Sequence, residues 1–270
     1  MPELPEVETV KLALKENLIG RSIVLIESNY TTMVIDDFET FKNSLINKTF
    51  KDIQRKGKYL IFNFDDINLI SHLRMEGKFF YVSKDEPLNK HIHMVFTLDN
   101  GYELRYQDTR KFGRMQIKSY EDLYITLPLS KLAKDANSED FDKRELYNQL
   151  KKKTCTIKEA LLNQEIIAGL GNIYVDEVLA LSKISPKRKA NKIKLKECEL
   201  ILNSSKEILN MAIKFKGTTI RSYTSSLNVF GSYQDKLIIH TKTHCPYCKN
   251  EIKKEFVGQR GTYYCKKCQK

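Results

Sequence analysis

Hydrophobic positions in the first half of the chain follow strand-like patterns, with short apolar runs separated by turn residues. Runs at 22–34 and 50–64 contain β-branched and aromatic segments, and similar ones follow at 67–73, 78–82, 91–98 and 102–106. Asn100-Gly101, between the last two, is a strong signal for a hairpin turn. Many short strands at this spacing predict a β-sandwich or barrel of about 130 residues.

Two helices flank the predicted strands. Val7, Val10, Leu14 and Leu18 form one apolar stripe at helical spacing, and Pro5 suits the first position of that helix. A second, shorter helix is predicted at 38–46. The first half is therefore expected to be a sandwich with flanking helices.

The second half has mainly helical periodicity. After a polar, irregular stretch at 126–142, helices are predicted at 143–150, 157–163 and 195–216, the last ending at Gly217. Gly169-Leu170-Gly171-Asn172 precedes a further helix, with Asn172 in the N-cap position. The free N–H groups at such a helix start suit phosphate oxygens.

The formal net charge of +12 over 270 residues predicts a polyanionic partner. Nucleic acid is favoured over a membrane surface, since no apolar run reaches spanning length. Acidic residues at 3, 6 and 8 precede the first lysine, which is the reverse of a signal peptide. We expect a cytoplasmic protein.

Four of the six cysteines lie at the C-terminus in metal-binding spacing. Cys245 and Cys248 form one C-x2-C pair, and Cys265 and Cys268 form a second one, with sixteen residues between the two pairs. Four thiolates leave no open position on a tetrahedral ion, which predicts one structural Zn²⁺. The other two cysteines are isolated and are expected to be inert.

The segment between the cysteine pairs predicts a basic β-hairpin with Arg260 at its tip. Residues 242–270 contain eight basic residues against two acidic ones, which leaves a net charge of +6. This excess favours DNA binding over a purely structural zinc knuckle.

The first residues carry candidate chemistry. If Met1 is trimmed, Pro2 presents a secondary amine, which is a nucleophile toward a sugar aldehyde carbon near neutral pH. The resulting iminium ion is an electron sink for eliminations, and Glu3 is a candidate proton carrier beside it. The alternative is a plain N-terminal helix that begins at a proline.

Three loops of the first half suit a nucleic-acid contact. Lys58 precedes an apolar strand and is either part of a solvated charge cluster or directed at phosphate or sugar. Met75 lies at a predicted turn tip, where an exposed methionine would be a wedge for a base stack. Arg110 and Phe112 suit base edges and stacking respectively. His91 and His93 alternate on one strand face, but no carboxylate or cysteine with suitable spacing accompanies them as metal ligands, so a phosphate contact or packing is expected.

Together these motifs resemble the formamidopyrimidine-DNA glycosylase family over nearly the whole chain. The first residues 2–9 match the start of the family, and Gly258-Gln259-Arg260 with the last two cysteines matches its zinc finger. The resemblance implies an α+β multidomain fold: an N-terminal β-sandwich with flanking helices, then a helix–two-turns–helix domain with a β-hairpin zinc finger. The implied ranges are 1–130, a linker at 131–145, then 146–234 and 235–270.

The resemblance also implies a bifunctional glycosylase and lyase that excises oxidised purines, namely 8-oxoguanine and formamidopyrimidines, from duplex DNA. It further implies a monomer that is associated with the bacterial nucleoid. Pro2 corresponds to the Schiff-base nucleophile, Glu3 to the proton donor, Lys58 to the proton-transfer lysine of β-elimination, and Arg260 to the arginine of δ-elimination. The remaining implied residues are the wedge set Met75, Arg110 and Phe112, the phosphate contacts His91, Lys153 and Asn172, and the base-pocket residues Glu76, Thr218, Thr219, Ile220, Arg221, Ser222 and Tyr223.

The chain departs from the family pattern at two places. Thr109 stands where proline is usual, and His240-Thr241-Lys242 replaces the usual Tyr-Gly-Arg/Lys. Two alternatives stay open: a relative similar to endonuclease VIII that acts on oxidised pyrimidines, and a zinc-finger DNA-binding protein without activity.

Overall fold

The computed structural model describes residues 1–218 and 231–270. The predicted base-pocket residues Thr219, Ile220, Arg221, Ser222 and Tyr223 lie outside the described residues. The described chain divides into two compact units. The first contains Met1–Pro2 and Glu6–Ser130, and the second contains Glu3–Pro5, Lys131–Thr218 and Ser232–Lys270.

The first unit is built on two antiparallel sheets of four strands each. One sheet has the order β1-β6-β7-β5 and the other β2-β3-β4-β8. Its elements are α1 (Leu4–Leu18), β1 (Ile23–Ser28), α2 (Phe38–Leu45), β2 (Asp52–Lys56), β3 (Tyr59–Asn63), β4 (Ile67–His72), β5 (Lys78–Ser83), β6 (Ile92–Leu98), β7 (Tyr102–Gln107) and β8 (Arg114–Ser119).

Both sheets contribute to one hydrophobic core, which confirms the sandwich. The stripe of α1 is fully buried in this core, together with Phe62 of one sheet and Phe79 and Phe96 of the other. Each such buried side chain contributes about 1.5–3 kcal/mol to stability.

The sheet differs from the sequence prediction in three places. The run 22–34 is a strand followed by the 3-10 turn Thr31–Met33, and the run 50–64 is a hairpin that turns at Gly57, whose φ is 56°. Strand β8 was not predicted, because only Met115 and Ile117 alternate among its polar residues.

The second unit is mainly helical and ends in a β-hairpin. Buried Ala180, Ile239 and Ile252 pack around Cys245 and Cys265 and join the hairpin to the helices. Its elements are α3 (Lys143–Lys151), α4 (Ile157–Leu162), α5 (Asn172–Leu181), α6 (Leu195–Lys214), β9 (Lys253–Val257) and β10 (Arg260–Tyr264).

Two helix ends differ from prediction. The N-cap of α5 is Gly171, and Asn172 is the first helical residue. The side chain of Asn172 therefore does not cap the helix and bonds a different residue, as described below. Helix α6 ends at Lys214, and the chain leaves it through left-handed Lys216 and Gly217, with φ of 61° and 78°. Within the described residues, no helix combines the length and apolar character needed to cross a bilayer.

Candidate nucleic-acid site

Strand register brings the predicted loops of the first unit to one end of the sandwich. Tyr59 pairs with His72, and His72 pairs with Arg114, so Lys58 and the loops 73–77 and 108–113 leave the same sheet end. In the other sheet Gln107 pairs with both Lys78 and Ile92. Both loops therefore cross between the sheets at this end, where His91 also lies.

Asp108 organises the loop that carries Arg110 and Phe112. Its buried carboxylate accepts the backbone N–H groups of Arg110, Phe112 and Gly113 at 3.0, 2.9 and 2.8 Å. The guanidinium of Arg110 lies 4.7 Å from the ring centroid of Phe112, and this ring is 47% exposed. The loop thus presents a stacked cation–aromatic pair on a preformed backbone.

The Met75 loop is equally constrained. The N–H of Arg74 donates to His72 Nδ1 at 2.9 Å, and the N–H of Gly77 donates to the Leu73 carbonyl at 2.9 Å. Arg74 has a φ of 54°, so the chain reverses sharply at this point. Met75 is half-buried rather than exposed as predicted, and the carboxylate of Glu76 accepts a hydrogen bond from the Thr109 hydroxyl.

Lys58 is buried at the start of β3, which argues against the solvated charge cluster. Burial, with the neighbouring charges of Arg74 and Lys58, lowers the pKa of His72 to about 3. His72 is therefore a neutral imidazole at physiological pH, and it adds no further positive charge beside Lys58.

The two histidines of the β6 segment have different environments. His91 is half-buried, and its backbone is held by Asn89 and Asp108. His93 is buried between Asn29 Oδ1 and the Asp108 carbonyl at 3.0 Å each, and burial lowers the pKa of its imidazole. His93 thus supports the Asp108 loop by packing.

In the second unit, Glu3 caps the N-terminus of α5. Its buried carboxylate accepts the N–H groups of Gly171, Ile173 and Tyr174 at 2.7, 2.9 and 3.3 Å. A Cβ on Gly171 would lie only 2.4 Å from Glu3 Cδ, so this approach needs glycine. The helix start that was predicted to receive a phosphate oxygen therefore holds a carboxylate of this same chain.

Glu3 follows directly on Pro2. Pro2 is buried and Met1 is 43% exposed.

The side chain of Asn172 is directed to the zinc hairpin. Its Nδ2 donates to the Gly261 carbonyl at 3.0 Å, and Lys158 Nζ reaches the same oxygen at 3.3 Å. The neighbouring Arg260 is the exposed first residue of β10. The helix α5 and the hairpin that carries Arg260 are thus joined at the candidate site.

A buried polar network supports this junction. Lys158 and Asp176 form a fully buried ion pair at 2.7 Å, and burial lowers the pKa of Lys158. The second oxygen of Asp176 contacts His240 Nδ1 at 2.9 Å and accepts the Tyr263 N–H at 3.1 Å.

Glu177 anchors the segment that leads into the zinc module. Its carboxylate accepts the N–H groups of Ile238, Ile239 and His240 at 2.6, 2.9 and 2.8 Å. Burial raises the pKa of the Glu177 carboxyl. Thr241 then adopts a left-handed backbone with φ of 64°, so the conformation expected of the usual glycine is kept by a β-branched residue.

The four predicted cysteines converge on one metal site. Their Sγ atoms lie within 4.8 Å of one another, with Cys245–Cys268 at 3.8 Å and Cys248–Cys265 at 3.5 Å. Zinc–sulfur bonds of about 2.3 Å give tetrahedron edges of about 3.8 Å, so the set fits one zinc ion. Since all four positions are filled by thiolates, the ion stabilises the hairpin.

The remaining predicted residues lie elsewhere in the second unit. Lys153 is half-buried between α3 and α4, and Thr218 is buried after α6. Cys198 is fully buried, and burial raises its pKa to about 11, in keeping with an inert thiol.

The sequence analysis did not predict two residues on which the site depends, Tyr106 and Asp108. Tyr106 is buried with its hydroxyl against Gly77 and Gly113, and Asp108 caps three N–H groups. The Asp108-Thr109 start of a turn is a signal that could have revealed the capping, because aspartate commonly bonds its own downstream backbone. Tyr106 carried no comparable signal.

Three family models match successive parts of the chain. The formamidopyrimidine-DNA glycosylase N-terminal domain matches residues 1–115, and the H2TH domain of the same family matches residues 132–224. The zinc finger found in FPG and IleRS matches residues 245–270.

Full-length relatives agree with these models. The formamidopyrimidine-DNA glycosylase of Streptococcus mutans is 43% identical over 272 residues, covering 100% of both chains. That of Lactococcus lactis subsp. cremoris is 44% identical over 273 residues, covering 100% of this chain and 99% of the relative.

Solved structures give the same result. A Lactococcus lactis FPG mutant in complex with Fapy-dG-containing DNA has a TM-score of 0.94, with 43% identity over 99% of each chain. A complex of Lactococcus lactis Fpg with abasic-site DNA has a TM-score of 0.93, with the same identity and coverage.

Proposed function

Because the chain belongs to the formamidopyrimidine-DNA glycosylase family of DNA glycosylases and AP lyases, we propose that it excises 8-oxoguanine and formamidopyrimidines from duplex DNA through a Schiff base on Pro2. The Lactococcus lactis relatives bind Fapy-dG and abasic-site DNA, which supports this substrate class. The protein would act on nucleoid DNA.

One observation carries the proposal: a buried carboxylate held rigidly next in sequence to a prolyl nitrogen. Three backbone N–H groups fix Glu3 at the start of α5. Such preorganisation on a helix is what a proton-transferring group requires, because small misplacements cost large factors in rate.

The proposed reaction begins when trimming of Met1 converts the Pro2 nitrogen from an amide into a secondary amine. The amine nitrogen bonds to C1′ as the bond from C1′ to the damaged base breaks, and the N–H proton of the resulting ammonium leaves with the base. Glu3 protonates the ring oxygen as the C1′–O4′ bond breaks and the sugar opens. The product is an iminium ion between Pro2 and C1′, which has no N–H proton to lose.

Elimination then cleaves the strand on both sides of the sugar. Loss of a C2′ proton, with Lys58 as carrier, expels the 3′ phosphate. Loss of a C4′ proton in a second elimination, assisted by Arg260, then expels the 5′ phosphate. Water hydrolyses the remaining iminium and returns the free amine, so the cycle needs no redox partner.

The other predicted residues would bind the DNA. Met75, Arg110 and Phe112 fill the gap left by the extruded base, which offsets a flipping cost of a few kcal/mol. His91, Lys153 and Asn172 would contact phosphates, and Glu76 and Thr218 would line the pocket for the extruded base.

Borohydride trapping on an 8-oxoguanine:C duplex tests the proposal. We expect a covalent adduct whose cross-link maps to Pro2 when the tag is C-terminal, and none when an N-terminal tag blocks the amine. Robust trapping by the N-terminally tagged protein would refute the assignment of Pro2.

A parallel duplex with thymine glycol distinguishes an enzyme for oxidised pyrimidines. Affinity for either duplex should also fall steeply with salt, as neutralised phosphates release counterions. A flat salt response would contradict the proposed DNA surface.

A further inference from the structure

The two wedge-bearing loops of the first unit meet at a side-chain contact between Thr109 and Glu76, and the proposed reaction assigns no role to Thr109. The hydroxyl of Thr109, in the Arg110 loop, donates to Glu76 Oε2 in the Met75 loop. Thr109 stands one residue before Arg110, and Glu76 one residue after Met75. The bond therefore joins the two loops directly beside the residues that are expected to enter the DNA.

A second contact also involves both loops. A Cβ on Gly77 or Gly113 would lie 2.0 or 1.8 Å from Tyr106 Oη, so the Tyr106 hydroxyl fits closely against both loops. Tyr106 itself is buried in the core and contacts the Phe79 ring edge-on, with 5.0 Å between centroids. The loops are thus held against the core by Tyr106 and joined to each other by Thr109 and Glu76.

We propose that the Thr109–Glu76 hydrogen bond makes Thr109 a positioning residue, which holds Met75, Arg110 and Phe112 in one rigid arrangement for insertion into the duplex. This inference rests on the proposed function. A proline at position 109 would restrict the loop through its ring. Threonine has no such ring, and the tie to Glu76 supplies the restraint from a side chain instead.

Thr109→Val tests the proposal, because it keeps the shape of the side chain and removes the hydroxyl. We compare trapping on an 8-oxoguanine:C duplex with trapping on a single-stranded abasic oligonucleotide, which has no base stack to enter. The duplex rate relative to the single-strand rate should fall about fivefold, as expected for loss of one hydrogen bond. Thr109→Ser should restore the ratio, and Thr32→Val, at an exposed threonine of the same unit, serves as the matched control.

Glu76→Met, which keeps the length of the side chain and removes its acceptor oxygens, and the double variant test whether the two residues act together. If they act through one bond, the double variant should lose no more than the larger single loss. An unchanged ratio in Thr109→Val, or an equal loss in Thr109→Ser, would overturn the inference.

Hydrogen exchange of the free protein separates this inference from the proposed function. Amides of 74–77 and 109–113 should exchange about fivefold faster in Thr109→Val, since loss of the tie eases local opening. Unchanged exchange would refute the tie even if the wild type traps DNA well. Absence of trapping by the wild type would refute only the proposed function.

Discussion

The buried ion pair between Lys158 and Asp176 leads to an asymmetric prediction for stability. Both side chains are fully excluded from solvent, and their charged atoms are 2.7 Å apart. Asp176 has further partners in His240 and Tyr263, whereas the one other hydrogen bond of Lys158 within the described residues is to the Gly261 carbonyl, at 3.3 Å. Removing the carboxylate should therefore cost more than removing the ammonium.

The expected losses in the free energy of unfolding follow from these contacts. Asp176→Asn removes the directly paired counter-ion of a buried cation and leaves the charge of Glu3 as a remaining negative neighbour, so we expect a loss of about 3 kcal/mol. Lys158→Met leaves a carboxylate with two remaining donors, so the loss should be about 2 kcal/mol. Replacing both, as Lys158→Met/Asp176→Leu, should cost less than the sum of the single losses.

The stability of Asp176→Asn should also depend on pH. Burial already lowers the pKa of Lys158 below that of an unfolded lysine, and loss of Asp176 should lower it further. The unfolded state then binds more protons between the two pKa values, so the stability of Asp176→Asn should rise as pH increases from 7 to 10.

Zinc release to a chromophoric chelator in a urea series is a suitable assay, because the network anchors the zinc hairpin. It reports on the second unit by itself, although a two-unit chain need not unfold in one step. Equal losses in the two single variants, or a deficit in Asp176→Asn that does not shrink at high pH, would refute the reasoning.

Four further predictions concern other parts of the chain. Because the pKa of His72 is lowered to about 3, only the unfolded state takes up a proton on this imidazole between about pH 6.5 and pH 3. The free energy of unfolding should therefore fall by up to about 1.4 kcal/mol per pH unit as the pH decreases through this range. Urea titrations at several pH values should show a smaller slope in His72→Asn. Thr241→Gly relieves a left-handed β-branched residue and should raise the free energy of unfolding by about 0.5–1 kcal/mol, measured by the urea midpoint. Gly171→Ala is compatible with the extended backbone there but displaces Glu3, so the single-turnover rate should fall about 10²-fold while DNA affinity is kept. Removal of zinc by a chelator should unfold the hairpin and abolish DNA cleavage, and both should recover when zinc is added. Circular dichroism and a nicking assay measure these changes, and a hairpin that stays folded without metal would contradict the prediction.

Local chemistry explains why much of this protein is determined by its sequence. The apolar stripe of α1 and the strand runs are short-range periodicities that any core will bury, and they predicted the sandwich. The spacing of the four cysteines predicted the zinc site for a similar reason, since few arrangements other than a closed tetrahedron satisfy four thiolates so close in sequence.

Only the tertiary structure decided which groups meet at the site. Glu3 caps a helix 168 residues away in sequence, at Gly171, and no local pattern encodes such a partner. Asn172 looked like an N-cap, but its side chain bonds Gly261 in the hairpin. Likewise, Tyr106 has the sequence pattern of an ordinary strand residue, and its role is visible only from the packing of two loops against its hydroxyl. These contacts depend on how distant elements pack, because hydrogen bonding and close approach are set by positions in space that short-range sequence patterns do not specify.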